Sequence, residues 1–176
     1  MAHINLPDGL PGITGPLTSY PETAKHLLGL AEELLRGPSS LTSAERELIA
    51  TYVSAKNECN FCMNSHAAIA RHLYGTDRDL VDQTIVDFQQ ADLSDKLKAL
   101  LVIAGKVQQG GRRVTEEDVA AARAAGADDK AIHDTVLTAA AFCMYNRYVD
   151  GLATWTPDAA AMYEQVGASI AEKGYL

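Results

Sequence analysis

Nowhere in the 176 residues does a polar/apolar alternation persist long enough to mark a strand. Instead, leucine, isoleucine, valine and alanine recur three and four residues apart between clear helix stops. That pattern restricts the chain to helix packed on helix. A stripe of Leu27, Leu28, Leu30, Leu34 and Leu35 begins near residue 22 and ends at Gly37 and Pro38. Thr42 and Glu45 have capping-box spacing ahead of Leu48, Ile49, Tyr52 and Val53, which predicts a helix over about 43–56. Further helices are expected from the CxxC segment to Gly75, over about 77–88, from Ser94 to Gly110, from Thr115 to Gly126, over about 130–150, and from Pro157 to about 173. The expected fold class is all-α.

A chain of this length supports one well-buried core, so one domain over 1–176 is expected. Residues 1–21 hold four prolines and three glycines, too many for a helix or an inner strand, and read as an extended arm. Ile4, Leu6, Leu10, Ile13 and Leu17 give that arm apolar surface to bury on the domain or on a neighbouring subunit. The arm and the alanine-rich helices together favour a homo-oligomer.

The net charge of −8, with Arg112-Arg113 the only basic cluster, argues against nucleic acid or an anionic membrane as partner. The first residues lack a basic segment followed by an apolar one, and no run of about 18 apolar residues occurs, so a cytoplasmic location is expected. Three cysteines do not make a disulfide framework; in a reducing compartment a CxxC pair is catalytic or metal-binding more often than structural. The third, Cys143, lies in the apolar run 139–145 and reads as a small core hydrophobe.

The chemistry concentrates in Asn57-Glu58-Cys59-Asn60-Phe61-Cys62-Met63-Asn64-Ser65-His66. Cys59, Cys62 and His66 fall within roughly a 60° arc of one helix face. Asn57 reads as the cap, which puts both cysteines near the helix start, where unpaired N–H groups and the dipole favour an anion. The thiolate is the reactive form of cysteine, and an unperturbed thiol is only a few per cent ionised at pH 7. The functional alternatives are zinc and dithiol redox chemistry. Zinc wants four ligands from separate elements, and no second CxxC or HxxxH is present, so neither a metal nor a cofactor is expected.

The redox reading uses every member of the cluster. A thiolate attacks the O–O bond of a hydroperoxide, becomes a sulfenic acid, and is resolved by a neighbouring thiol to a disulfide. His66 lies one turn beyond Cys62, placed to take its proton directly or through a water. Asn57-Glu58 permits only a tight reversal, so the preceding helix and the CxxC helix pack as a hairpin. Reflection about that turn sets Glu47 near His66, as an orienting and charge-stabilising carboxylate. Cys59 is close enough to resolve a sulfenate on Cys62.

The string Leu41-Thr42-Ser43-Ala44-Glu45-Arg46-Glu47-Leu48-Ile49-Ala50, followed by Val53-Ser54, Asn57, Cys59-Asn60-Phe61-Cys62 and Ser65-His66, resembles the core of the AhpD-like alkylhydroperoxidases. These belong to the carboxymuconolactone decarboxylase superfamily, and the likeness is greatest to its peroxidase-related branch. It extends to 26–30 and 146–150. The resemblance implies an all-helical, oligomeric antioxidant protein that reduces hydroperoxides. It also implies Cys62 as peroxidatic cysteine, Cys59 as resolving cysteine, His66 as base and Glu47 as proton-relay carboxylate, with a thiol or lipoyl-type protein as reductant. One position departs from the family: characterised members carry a histidine immediately before the peroxidatic cysteine, where this chain has Phe61. The competing readings are a dithiol/disulfide oxidoreductase that never meets peroxide, a decarboxylase-like lyase, which has no need of a dithiol, and a redox-sensing helical protein without turnover.

Overall fold

The computed structural model describes residues 2–176; Met1, part of the expected arm, lies outside them. Among the described residues there are nine α-helices: α1 (Thr14–Ser19), α2 (Pro21–Arg36), α3 (Ser43–Lys56), α4 (Asn60–Tyr74), α5 (Asp79–Asp87), α6 (Asp95–Gln109), α7 (Glu116–Ala124), α8 (Asp129–Gly151) and α9 (Ala160–Lys173). No strand occurs among the described residues.

The starts of the helices follow from side-chain chemistry. The Thr42 hydroxyl accepts the Glu45 amide (3.2 Å) while the Glu45 carboxylate accepts the Thr42 amide (2.8 Å), which closes the capping box of α3. Thr115 and Asp118 do the same for α7, Ser94 caps α6 through Leu97, and Asp128 caps α8 through Ala131. Each such cap contributes about 1 kcal/mol by satisfying an amide the helix leaves unpaired.

Residues 46–54 of α3 are buried without a break, so α3 is the central helix rather than an amphipathic surface one. It packs against α2, α4, α5, α6 and α8. Its buried Arg46 donates Nη1 to the carbonyls of Leu34 and Gly37, both at 2.9 Å, so a charge deep in the fold caps the open end of α2. Leu35, Leu48, Ile49, Val53, Leu100 and Phe142 form the centre of the core.

The reversal between α3 and α4 fixes where the cysteines stand. Glu58 adopts φ +59°, its amide bonds Ala55 O, and the Cys59 amide bonds Ser54 O (3.1 Å). This is the helix-ending motif that glycine normally fills, here completed by a glutamate. Cys59, at φ −82° and ψ 92°, is therefore itself the first cap of α4, and Asn57 closes α3 instead of opening α4. The Asn57 side chain turns away to donate to Asn146 Oδ1 at 2.7 Å. Across the reversal α4 packs closely on α3, and on its other side it meets α9 at Gly167, where an added Cβ would sit 2.9 Å from that of Ala68.

Residues 14–19, expected to be extended, form a helical turn and a half. Pro16 is tolerated because it stands third in α1, where the missing N–H has no intrahelical acceptor in any case. The preceding segment lies on the chain's own loop after α8: the His3 amide donates to Leu152 O (2.9 Å) and the Gly12 amide to Trp155 O (2.8 Å).

Candidate active site

Cys59 and Cys62 occupy the cap and third position of α4 and are 0 % and 4 % exposed. All three cysteines carry free thiols. The first turn of α4 contains no carboxylate and receives no side-chain cap, so its amide donors are not engaged by a competing anion. The Cys59 thiol is pushed well above the ordinary thiol range: it hydrogen-bonds the Cys62 sulfur, it is buried, and negative charge on Cys62 opposes its ionisation.

Glu47 projects from α3 and is fully buried. Its Oε2 lies 2.7 Å from His66 Nδ1, its Oε1 pairs with Arg36 Nη1 at 2.8 Å, and Oε1 also accepts the Tyr175 hydroxyl at 2.7 Å. Burial pushes this carboxyl up, but the charge and hydrogen bond of His66, the Arg36 guanidinium and the Tyr175 hydroxyl outweigh it. The net effect holds Glu47 below the usual carboxylate range, as an anion. Facing an anion, His66 Nδ1 carries the ring proton, which leaves Nε2 as the acceptor in the neutral imidazole. The ring is fixed edge-on against Phe142, with centroids 4.5 Å apart, and Tyr175 stacks beside it at 6.1 Å.

Arg36 and Tyr175 are the two members that sequence reasoning missed. Arg36 ends α2, where a basic residue ordinarily answers the helix dipole. Tyr175 reaches Glu47 across 128 residues. Gly174 makes that return possible, with φ +80° and ψ −162°, a conformation essentially confined to glycine; the Tyr175 amide then bonds Glu32 Oε2 at 2.7 Å. The Arg36 guanidinium lies 5.2 Å from the Tyr175 ring centre, a cation–π contact that holds both.

Cys62 and His66 line one cavity of about 70 Å³, walled by Phe61, Phe142, Tyr145 and Tyr175. Tyr145 donates to Leu27 O (2.8 Å) and burial holds its phenol up at about 12; burial and Glu47 raise Tyr175 further. Both stay neutral at physiological pH. Cys143 is not in this group: it is half-buried rather than core, and it accepts a weak bond from Asn57 Nδ2 (3.6 Å) on another face of α8. His72 also faces away, toward Glu164 of α9. Among the described residues no three His, Cys, Asp or Glu side chains are grouped to hold a metal ion. No helix among them is long and apolar enough to cross a membrane.

An all-helical fold with a dithiol at the start of a core helix is the arrangement of an AhpD-like protein, and the comparisons with known proteins point the same way. Residues 21–87 match the model of the carboxymuconolactone decarboxylase family, and together with the solved structures that follow this match supports an AhpD-like member of that superfamily. Among solved structures it is similar to the alkylhydroperoxidase AhpD core of an uncharacterized peroxidase-related protein from Ralstonia eutropha JMP134. That match has 28 % identity and a TM-score of 0.79, covering 90 % of this chain and 81 % of that one. An uncharacterized peroxidase-related protein from Silicibacter sp. TM1040 is 27 % identical with a TM-score of 0.79, covering 93 % and 94 %. A protein of unknown function from Agrobacterium tumefaciens, a candidate antioxidant defence protein AhpD, shares the fold at 20 % identity and a TM-score of 0.70, covering 84 % and 99 %. Comparison with curated proteins gives no match.

Proposed function

We propose that the protein is a thiol-dependent peroxidase that reduces hydroperoxides through a Cys62/Cys59 dithiol–disulfide cycle. The observation that carries this reading is that Cys62 shares a cavity with His66, whose Nδ1 lies 2.7 Å from the buried, charge-balanced carboxylate of Glu47, with a second thiol at the cap of the same helix. Cys62 is the nucleophile, because it and not Cys59 lines the cavity that holds His66. His66, its proton-bearing Nδ1 anchored on Glu47, takes the Cys62 proton on Nε2. The thiolate attacks the distal peroxide oxygen, the O–O bond breaks, and His66 returns the proton to the departing alkoxide as alcohol. Cys62 is then a sulfenic acid; the Cys59 sulfur displaces its hydroxyl, which leaves as water with the Cys59 proton, and a disulfide forms. An external dithiol, from a thiol or lipoyl-type protein, takes up that disulfide and returns both cysteines to thiols.

Burial separates this reading from that of a general dithiol/disulfide oxidoreductase. Cysteines that are 0 % and 4 % exposed are reached by a small peroxide or by a slender dithiol arm more readily than by a disulfide set within a folded protein. The name of the superfamily also covers decarboxylases, and nothing in a lyase reaction uses the paired thiols. Peroxide consumption and insulin-disulfide reduction, run side by side on the reduced protein, test the assignment. The expected result is peroxide turnover without insulin reduction; insulin reduction alone contradicts it.

A further inference from the structure

Two apolar cavities meet at Phe61, the residue immediately before Cys62. The inner one, of about 70 Å³, holds Cys62 and His66; the outer one, of about 190 Å³, lies across the ring and is bounded by Leu10, Ile69, Met162, Val166 and Ile170. Three hydroxyls also reach the outer cavity, and each is already spent on a backbone carbonyl. Thr14 donates to Pro11 O, Ser65 to Phe61 O (2.8 Å) and Tyr163 to Pro157 O (2.9 Å). A polar ligand there loses its hydration and finds no free hydroxyl donor, whereas hydrocarbon loses nothing. Phe61 is held as a partition: its ring tilts on Tyr163 at 6.1 Å, and Gly12 comes so close, at φ +52°, that a Cβ there would fall 2.1 Å from the ring. Met162 and Val166, 41 % and 57 % exposed, bring the outer cavity to the surface.

We infer that Phe61 is a specificity-determining residue, and that the outer cavity takes the hydrocarbon body of an organic hydroperoxide whose O–O group lies against Cys62. This rests on the peroxidase reading above. Rotation of the Phe61 side chain about its two torsions joins the chambers, so a chain or ring too large for the inner one extends outward past it. The polar requirements of such a molecule are met at one end only, by the thiol and imidazole.

Two variants and two kinds of readout test the inference. Phe61→Ala removes the partition, and Val166→Trp, at a site more than half exposed, fills the outer cavity without disturbing the core. For the parent, kcat/KM is expected to be higher for a long-chain alkyl hydroperoxide than for hydrogen peroxide. Val166→Trp should lower that ratio about tenfold, the equivalent of roughly two methylenes of lost burial, and Phe61→Ala should raise the ratio of cumene hydroperoxide to hydrogen peroxide by a similar factor. Binding of 1-octanol, an unreactive probe, is measured by calorimetry and should weaken about tenfold in Val166→Trp. Octanol binding without turnover of any peroxide overturns the peroxidase reading while the hydrocarbon site stands. Turnover with unaltered ratios and unaltered octanol affinity in the variants overturns the inference alone.

Discussion

Glu47 and His66 are separated by 19 residues of sequence and by 2.7 Å of space. The hairpin of α3 and α4 makes this contact, and it decides which imidazole nitrogen is free. With Nδ1 committed to the carboxylate, Nε2 is the base available to Cys62. Replacing the carboxylate with an amide removes both the charge that favours imidazolium and the preference for this tautomer. Glu47→Gln is expected to lower kcat/KM for hydroperoxide about 10²-fold. Steady-state kinetics beside a thermal unfolding scan separates this loss from any loss of fold.

The same carboxylate sets a pH window for stability. Glu47 titrates below its ordinary value of 4.5 in the folded chain, so its contribution is complete above that value and is lost as pH falls through the lower, folded one. Asp134 shifts in the same direction, with burial raising it and Lys130, Ser39 and His133 more than compensating. The stability difference between parent and Glu47→Gln, from urea unfolding, should therefore shrink as pH is lowered from about 4.5. A difference unchanged from pH 6 to pH 3 contradicts the ion-pair account of Glu47.

Tyr175 returns from beyond α9 to close the site, and its hydroxyl bonds a buried anion. Tyr175→Phe keeps the ring stacked between Arg36 and His66 and deletes only that bond. A hydrogen bond to a charged group contributes about 1.5–3 kcal/mol, so a loss of about 2 kcal/mol in unfolding free energy is expected. An equal stability in the variant shows that Arg36 and His66 hold Glu47 unaided.

Glu58 takes the left-handed conformation at φ +59° in the turn that presents Cys59. A glutamate there carries about 1 kcal/mol or more of strain that glycine escapes, so Glu58→Gly should stabilise the fold modestly even after its extra unfolded-state entropy. Denaturant midpoints of the two proteins provide the comparison. A clear loss on substitution shows that the Glu58 side chain does something the backbone geometry does not reveal.

These residues also mark how far the sequence is legible. The capping box of Thr42 and Glu45, the apolar spacing of each helix, and the placement of Cys59, Cys62, His66 and Glu47 are local or hairpin properties, and periodicity exposes them. Asn57 reads in sequence as the cap of the CxxC helix and instead closes α3, because the same residue types open and close helices; only the positive φ of Glu58 and the amide bonds after it show that α3 ends there. Pro16 hides α1, since a proline is permitted in a first turn and forbidden one turn later. Arg36 and Tyr175 could not be read, because a basic helix end and a tyrosine beyond the last helix both look like solvent-facing residues. They join Glu47 only through the packing of α2, α3 and α9, which no local pattern encodes.

Titrating the fully reduced protein with substoichiometric to excess hydroperoxide, and counting thiols while mapping the disulfide by mass spectrometry, tests the central claim most directly. Each chain should lose two of its three thiols per peroxide consumed, as a Cys59–Cys62 disulfide with Cys143 still reduced, and Cys62→Ser should consume none. Cys62→Ser protein that consumes peroxide as fast as the parent, or a disulfide that includes Cys143, contradicts it.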